Sequence, residues 1–345
     1  MRRCETWLEQ ALSARRALMT HSCTAALEMA AMLAEVGPGD EVVMPSFTFS
    51  ATATAFVLRG AKVVFVDIDP DTLNIDPILI EQAITERTKV VVPVHYAGLA
   101  CDMDAIMPIA QRHDLIVVED AAQAHLSTYK GKALGTIGDL GCLSFHETKN
   151  VISGEGGALI LNSERLLERA EIIREKGTDR SRFFRGQVDK YTWQDIGSSY
   201  CPGEIVSAFL MAQLEKADVI CARRRAIYEL YRELLAPLAA DGTINLPRAT
   251  ADEVNGHIFW ILLESEAVRA DLIRYLNGHN INAVFHYVPL HSAPAGRKFG
   301  RQSGDLPVTE RISNSLLRLP LYYTLDDNEV HRVAQAIFAY FGRRF

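Results

Sequence analysis

The sequence predicts an α/β protein with a large domain on a mostly parallel sheet, followed by a smaller α+β domain. Between residue 16 and about residue 162, short and nearly continuous apolar runs alternate with helical patterns. Strands that are apolar throughout are expected in parallel sheets that helices cover on both faces. The alternation favours right-handed β-α-β crossovers. Beyond about residue 238 the alternation becomes irregular, so we predict domains at residues 1–238 and 239–345.

The first half supplies the predicted parallel strands and the helices between them. The strands are Glu41–Met44, Ala61–Val66, Lys89–Val94, Leu115–Val118 and Cys142–Phe145, and the helices are Ala25–Val36, Ser50–Leu58, Pro77–Thr85 and Asp104–Arg112. Gly37-Pro38-Gly39-Asp40 and Gly60 stand at helix-to-strand turns, where glycine and proline end helices.

The second half begins with an irregular polar segment from Gly177 to Cys201. A long helix is predicted over Glu204–Leu238, with the basic triplet Arg223-Arg224-Arg225 on its exposed face. The strands Ile258–Leu263 and Ala283–Val288 and the helices Val268–Asn277, Thr309–Leu317 and Asn328–Phe341 then form the smaller domain.

Composition excludes several classes of function. The chain has 345 residues, 48% of them hydrophobic, and a net charge of -7, which argues against a nucleic-acid partner. No apolar stretch is long enough to cross a bilayer, and the first residues lack the apolar core of a signal peptide. The six cysteines have no metal-ligand spacing and are predicted to be reduced, mostly buried thiols of a cytoplasmic protein without a bound metal: Cys4, Cys23, Cys101, Cys142, Cys201 and Cys221.

Polar residues follow several predicted strands and helices at the edge where ligands bind in such sheets. Thr24 precedes a helix, and a helix N-terminus is a ready anion site, although a simple cap is the plainer interpretation of this residue alone. Asp120 ends the strand Leu115–Val118, where a carboxylate could stabilise a protonated ring nitrogen or cap a following helix. Gln123 alone is a less specific indication of a ligand site, because a glutamine on the surface would be unremarkable.

Lys149 follows the strand Cys142–Phe145 and precedes the glycine-rich turn Gly154-Glu155-Gly156-Gly157. An amine held rigidly beside such a turn suits Schiff-base chemistry, whereas an ordinary surface lysine is the alternative. An aromatic residue of the Phe47-Thr48-Phe49 segment could stack on a planar ring or belong to the core. Anion site, carboxylate, aromatic ring and amine together are the parts that pyridoxal phosphate requires.

Longer strings carry a resemblance to a known family. They are Pro-Gly-Asp-Glu-Val-Val-Met-Pro-Ser at 38–46, Val-Pro-Val-His-Tyr-Ala-Gly at 92–98, Phe-His-Glu-Thr-Lys-Asn at 145–150 and Phe-Phe-Arg-Gly-Gln-Val-Asp-Lys-Tyr-Thr-Trp at 183–193. The chain resembles the DegT-type sugar-nucleotide aminotransferases, pyridoxal phosphate enzymes of the aspartate-aminotransferase fold (fold type I). Within the family it is most similar to enzymes that move an amino group from L-glutamate to C4 of a dTDP-4-keto-6-deoxyhexose. Their product, dTDP-4-amino-4,6-dideoxy-D-galactose, serves polysaccharides such as enterobacterial common antigen.

The resemblance implies a role for each matching residue. Lys149 would bind the cofactor covalently and transfer the proton, Asp120 would pair with the ring nitrogen, Gln123 would lie by the phenolic oxygen, and Phe49 would stack on the ring. The phosphate would be held by Cys23, Thr24 and Ser144, and by Ser199 from the neighbouring subunit of a homodimer. His286 and His291 fall where the family contacts the sugar nucleotide.

Two departures from the family keep a second hypothesis open. Family members generally carry some thirty further residues before the position of Met1, and Cys201-Pro202-Gly203 replaces a usual Met-Ser-Asp at the start of a helix. A cofactor-binding pseudoenzyme with impaired turnover is therefore the alternative. Pyridoxamine-dependent dehydratases lack the lysine, and a nicotinamide-dependent epimerase would need a G-x-G-x-x-G turn after its first strand, which is absent.

Overall fold

A computed structural model describes all 345 residues, and its regular elements include thirteen α-helices and thirteen strands. The strands are β1 (Arg16–Thr20), β2 (Glu41–Pro45), β3 (Lys62–Val66), β4 (Thr88–Val91), β5 (Ile116–Asp120), β6 (Thr128–Tyr129), β7 (Lys132–Ala133), β8 (Leu140–Ser144), β9 (Gly157–Leu161), β10 (Phe259–Leu262), β11 (Val284–Phe285), β12 (Gly300–Gln302) and β13 (Leu316–Leu319). The helices are α1 (Arg2–Ala11), α2 (Cys23–Leu33), α3 (Ser50–Val57), α4 (Pro77–Ala83), α5 (Met103–Arg112), α6 (Leu167–Arg174), α7 (Arg180–Phe184), α8 (Glu204–Leu214), α9 (Ala217–Ala240), α10 (Glu266–Gly278), α11 (Pro294–Phe299), α12 (Pro307–Ser315) and α13 (Asp327–Tyr340). None of the helices combines the length and apolar character needed to span a membrane.

The large sheet has eight strands in the order β1-β9-β8-β5-β4-β2-β3-β12. Only β9 is antiparallel to its neighbours, so the carboxyl ends of β1, β2, β5 and β8 meet at one edge. Helices cover both faces: Val42 packs with residues of α2 and α3, whereas the next residue, Val43, packs with residues of α4 and α5. This two-sided burial explains the continuous apolar runs and confirms the predicted α/β class.

The C-terminal part of the chain has its own antiparallel sheet, in the order β10-β13-β11. Leu317 and Leu319 of β13 join a core with residues of α10 and α13. The second half of α9 enters the same core through Tyr231 and Leu235. The division into domains at residues 238 and 239 stays a prediction, since α9 runs continuously across it.

The strand β12 brings the C-terminal part back to the edge of the large sheet, parallel to β3. The buried carboxylate of Glu41 fixes this return by accepting two hydrogen bonds from Arg301, at 3.0 and 2.8 Å. Thr85 and Arg87 donate to the same carboxylate at 2.8 and 2.9 Å. A bidentate guanidinium on a buried carboxylate is a strong link.

Several expectations about the second half were wrong. The predicted helix Glu204–Leu238 breaks between Leu214 and Ala217, which both pack in one core, and no glycine or proline signals the break. Arg224 is buried rather than exposed, and it donates to the carbonyl oxygens of Gly256, His257 and Leu321. A charged side chain that satisfies backbone carbonyls can lie on the inner face of a helix.

Other segments were shorter than predicted or were missed. The predicted helix Thr309–Leu317 ends at Ser315, because Leu316 and Leu317 pair with β10 in the small sheet. Of Ala283–Val288 only Val284–Phe285 is a strand. The apolar pattern did not predict ten further elements, which are β1, β6, β7, β9, β12, β13, α1, α6, α7 and α11. All six cysteines are unpaired and four are buried, as expected.

Glu41 should make the stability of the protein depend on acid pH. Its hydrogen bonds to Arg301 are the main reason that its pKa falls from about 4.5 to about 2. Because the folded pKa lies below the unfolded one, this stabilisation is complete above about pH 4.5 and is lost as the pH falls towards 2. We expect the wild type to lose about 3 kcal/mol more than Glu41→Gln between pH 5 and pH 2.

Urea unfolding at a series of pH values measures the difference. Glu329→Gln is the control, because it removes an exposed ion pair with Arg332 that should contribute little. Equal slopes for Glu41→Gln and the wild type would contradict the role of this carboxylate.

Candidate active site

The predicted site residues meet at the carboxyl edge of the large sheet. Asp120 ends β5 and Ser144 ends β8, and Asp120 is paired with Cys142, two residues before Ser144. Cys23 and Thr24 follow the end of β1, and Phe49 follows the end of β2. The fold thus places four separate parts of the chain around one crevice, as expected for a sheet of this type.

Lys149 lies in the loop after β8, and a tight backbone holds this loop. Phe145 and Glu147 donate their amides to the carbonyl oxygens of Gly156 and Gly154, both at 2.8 Å. The Nζ atom has no hydrogen-bond or ion-pair partner within the chain. Burial lowers the pKa of Lys149, and the positive charge of Arg318 lowers it further, although Cys23 and Asp120 act in the opposite direction. A larger fraction of this amine is therefore neutral and nucleophilic than in an ordinary lysine.

Asp120 is a buried carboxylate, 5% exposed, that is held from two sides. Thr52 donates its hydroxyl to Oδ2 at 2.7 Å, and the amide of Ala122 donates to Oδ1 at 3.1 Å. No helix follows Asp120, which excludes the helix-cap interpretation. An oriented carboxylate at this place can pair with a cationic group bound in the crevice.

The N-terminus of α2 offers an anion site beside these residues. Ser22, and not Thr24, is the N-cap, since its hydroxyl accepts from the amide of Ala25 at 3.1 Å. The amides of Cys23 and Thr24 have no acceptor within the chain. Free amides at the positive end of a helix suit a phosphate group.

Gly157 allows this helix end to approach the sheet. A Cβ atom on Gly157 would lie 2.4 Å from the backbone nitrogen of Cys23. Gly157 is also paired with Ser144 across β8 and β9, so the Ser144 side chain belongs to the same corner. The missing side chain is thus a requirement of the anion site.

Gln123 and Phe49, which were both predicted to contact the cofactor ring, lie in different surroundings. Gln123 is buried; its Oε1 accepts from the amide of Ala97 at 2.7 Å and its Nε2 donates to the hydroxyl of Tyr287 at 2.6 Å. The side chain of Phe49 is 61% exposed, whereas Phe47 is buried in an aromatic cluster with Tyr96. The roles of Gln123 at a phenolic oxygen and of Phe49 on a ring stay predictions.

Both predicted histidines are buried, and His286 lies within range of the charge of Lys149. His286 forms a 2.7 Å hydrogen bond with the Tyr96 hydroxyl, and burial together with the charges of Arg318 and Lys149 lowers its pKa to about 2. His291 is bound through both ring nitrogens, to Ser46 at 2.7 Å and to Glu310 at 2.9 Å.

Ser199 lies on the exposed segment between α7 and α8. Its hydroxyl has no partner within the chain, and only its backbone bridges to Glu175. The chain by itself therefore does not bring this residue to Lys149, and its assignment stays a prediction.

A cavity of about 900 Å³ opens beside Lys149, between the loop after β8, the helices α8 and α9 and the small sheet; Thr24, Asp120 and Ser144 do not line it. Arg318 of β13 and His257, both missed in the sequence, line it. Neighbouring Leu317 and Leu319 face the C-terminal core, so the alternation of the strand turns Arg318 to the opposite face. The guanidinium has no hydrogen bond or ion pair within the chain, and its buried Nε is unsatisfied. A charged residue within the apolar run Leu316–Leu319 is a signal that could have identified it.

These groups fit pyridoxal phosphate. The free amides of Cys23 and Thr24 and the hydroxyl of Ser144 suit its phosphate, Asp120 suits its ring nitrogen, and Lys149 suits its aldehyde carbon. The unpartnered amine and amides are polar groups that the chain itself leaves without acceptors.

Comparison with known proteins agrees with this geometry. Residues 1–338 match the model of the DegT/DnrJ/EryC1/StrS aminotransferase family. The chain belongs to this family. The spore coat polysaccharide biosynthesis protein SpsC of Bacillus subtilis is 36% identical, over 94% of this chain and 85% of its own length. GDP-perosamine synthase of Caulobacter vibrioides is 34% identical, with the same two coverages.

Solved structures support the same assignment. The putative sugar aminotransferase Spr1654 from Streptococcus pneumoniae, in its PLP form, superposes with a TM-score of 0.89 at 28% identity, over 98% of this chain and 90% of that one. The same protein is also known in a PMP form. The protein is therefore a pyridoxal phosphate-dependent sugar aminotransferase of this family, and its fold is that of fold type I.

Gly157→Ala should damage the anion site in this aminotransferase. The added methyl group would collide with the N-terminus of α2, and overpacking of this kind costs about 1–3 kcal/mol. We expect lower stability together with at least a roughly tenfold weaker affinity for pyridoxal phosphate, since a displacement of free amides loses charge-assisted hydrogen bonds.

Cofactor titration followed by absorbance measures this affinity. Gly278→Ala is the matched control, because Gly278 lies in the helical backbone of α10, where a Cβ meets no atom within 4 Å. Unchanged cofactor affinity in Gly157→Ala would refute the placement of the phosphate at this helix end.

Proposed function

We propose that the protein transfers an amino group from L-glutamate to C4 of a dTDP-4-keto-6-deoxyhexose. The product would be dTDP-4-amino-4,6-dideoxy-D-galactose, for a cell-surface polysaccharide of the enterobacterial common antigen type. The observation that carries the transfer is the unpartnered amine of Lys149, which lines a large cavity and lies within range of the charge of Asp120. The name of GDP-perosamine synthase supports a nucleotide-sugar substrate, and the name of SpsC supports a role in polysaccharide synthesis. The choice of sugar rests on the sequence strings given above.

Bound pyridoxal phosphate supplies an electron sink that makes the α-hydrogen of an amino acid acidic. The residues of the chain hold and move the groups around it. Asp120 would keep the ring nitrogen protonated, because a fixed carboxylate favours the cationic form of a neighbour. The amides of Cys23 and Thr24 would hold the phosphate.

Lys149 would carry the proton. In the first half of the reaction its Nζ would take the proton from the α-carbon of the amino donor and pass it to the bound cofactor. In the second half it would take a proton back and deliver it to C4 of the sugar. A general base must be neutral, and burial provides this by lowering the pKa of the amine.

Arg318 would recognise the amino donor. The cavity is lined by four cationic side chains, Lys149, Lys216, Arg224 and Arg318, against the single carboxylate of Glu147. Arg224 is already occupied by backbone carbonyls, whereas Arg318 has no acceptor. A planar guanidinium matches a carboxylate in two parallel hydrogen bonds. L-glutamate carries a carboxylate next to its reacting carbon, whereas the anionic groups of a dTDP-sugar are the phosphates, which the sugar ring separates from C4.

We further propose a homodimer in which Ser199 of each subunit reaches the neighbouring cofactor phosphate. The segment around Ser199 and the adjoining α8 expose apolar side chains, among them Trp193 at 81% and Ile205 at 88%. Exposed apolar groups in such number indicate a surface that is covered by a partner. Pro202 and Gly203 form a regular start of α8, with Ser207 bonded back to the Gly203 carbonyl, so this departure from the family leaves the helix intact. A sedimentation mass of 38.3 kDa instead of twice that value would contradict the dimer.

The absorption spectrum of the loaded protein tests the function. We expect an absorbance band of bound cofactor that bleaches with L-glutamate and returns with dTDP-4-keto-6-deoxyglucose. Lys149→Ala should abolish the cycle, with turnover lowered at least about 10⁴-fold, because the amine both anchors the cofactor and moves the proton.

The variant Arg318→Met tests whether Arg318 recognises the amino donor rather than the sugar. It should keep the initial spectrum but bleach at least about tenfold more slowly at low L-glutamate, since a charged hydrogen-bonded pair is lost. Lys216→Met removes an exposed charge at the rim of the same cavity and should bleach normally. A loaded protein that keeps its spectrum with every amino acid would instead support the pseudoenzyme hypothesis.

A further inference from the structure

His257 lies in the buried segment that leads into β10 and lines the cavity beside Lys149. The proposed chemistry assigns it no role. Its backbone is fixed on both sides: the amide donates to Oδ1 of Asn255 at 3.0 Å, and the carbonyl accepts from Arg224 at 2.6 Å. The position of the imidazole is therefore set by the fold.

The hydrogen bonds around Asn150 determine which ring nitrogen of His257 carries the proton. The side-chain Nδ2 of Asn150 donates to the backbone carbonyl of Asn255 at 2.9 Å. A carbonyl only accepts, so the amide orientation of Asn150 is fixed and its Oδ1 must face His257. This Oδ1 lies 3.0 Å from Nδ1 of His257, and an amide oxygen also only accepts. Nδ1 therefore bears the hydrogen.

A second asparagine makes this network rigid. Nδ2 of Asn255 donates to the carbonyls of Gln123 and His125 at 2.9 and 3.0 Å. Gly98 leaves room for it, because a Cβ there would lie 2.2 Å from Oδ1 of Asn255. The imidazole is thus linked through one network to the loop after β5 and to the residue next to Lys149.

The neutral imidazole keeps a lone pair on Nε2, which has no partner within the chain. Burial holds the pKa of His257 well below its ordinary value, and the charges of Lys149 and Arg224 lower it further. The ring therefore stays neutral at physiological pH. The other buried polar side chains of the cavity are Asn150, whose amide oxygen and nitrogen are both bonded to the protein, and Arg224, which is a donor and not an acceptor. Nε2 is consequently a fixed acceptor that awaits a donor.

We propose that Nε2 of His257 accepts a hydrogen bond from a ring hydroxyl of the sugar that receives the amine. This inference rests on the proposed function. The amino donor is a poor match, because its carboxylates would face a lone pair and its amine must reach the reacting carbon. A sugar retains hydroxyl groups after the ketone has reacted. In one shared cavity, His257 would then bind the sugar through a hydroxyl group, and Arg318 would bind the amino donor through its carboxylate.

Two substitutions separate substrate recognition from a structural role. His257→Asn keeps a donor near the position of Nδ1, towards Asn150, but deletes the acceptor. His257→Gln places an amide near Nε2 and abandons the bond to Asn150. We expect His257→Asn to lower kcat/KM for the keto sugar about tenfold, the usual effect of one lost hydrogen bond, with the L-glutamate half-reaction unchanged. His257→Gln should retain more of the sugar reaction and lose more thermal stability. His279→Asn, at the exposed C-terminal end of α10, is the control for replacing any histidine of this protein by asparagine.

Three results would overturn the assignment. One is a normal sugar reaction in His257→Asn, and another is an equal loss in both half-reactions, which would show a structural role. The third comes from a measurement that needs no turnover. In protein labelled with ¹⁵N-histidine, Nε2 of His257 should resonate as an unprotonated nitrogen and shift upfield when dTDP-6-deoxyglucose is added, but not when L-glutamate is added. An unshifted Nε2 would refute the contact even if the protein proved to be inactive. A shifted Nε2 without any bleaching by L-glutamate would support the contact while the proposed function failed.

Discussion

Glu119 is completely buried at the centre of the large sheet, and its carboxylate receives four hydrogen bonds. The amides of Gly135, Ile137 and Gly138 donate at 2.8, 2.7 and 2.6 Å. The fourth donor is Nε2 of His95 at 2.9 Å; its Nδ1 accepts from the amide of Cys101, which leaves the proton on Nε2. Burial of a carboxylate is costly unless donors surround it, so these four hydrogen bonds are what makes the buried position of Glu119 stable. It joins the ends of β4 and β5 to the loop before β8, so Asp120 and Lys149 inherit their relative positions from a neighbour that touches no ligand.

This arrangement also explains how much of the site could be predicted. Asp120 and Lys149 stand at strand ends, and a strand end is visible in a sequence because the apolar run stops there. Glu119 and Asp120 are adjacent, and the alternation of a strand sends one into the interior and the other into the crevice. The apolar run alone does not show which is which. The family strings, and not the pattern, distinguished them.

His257, Asn255 and Arg318 were missed for a different reason. They lie more than a hundred residues after Lys149, and their role depends on contacts across the cavity. Local signals were present, since Arg318 interrupts an apolar strand. The role of Arg318 could not be inferred from this signal, because the sequence does not show which face of the strand points towards the large sheet. The break between α8 and α9 has a similar origin: the residues around Glu215 have good helix propensity, and tertiary packing alone decides it.

The return of β12 to the large sheet has a mechanical consequence. The C-terminal part is held to the large sheet through α9 and through the strand that Arg301 fastens to Glu41. Hydrogen bonds join the two parts close to the cavity as well, between Asn150 and His257 and between Ser46 and His291. A part that is held at several points around a crevice cannot swing open without breaking these bonds. The cavity is therefore preformed, and a substrate that enters it does not have to supply the free energy of ordering its walls.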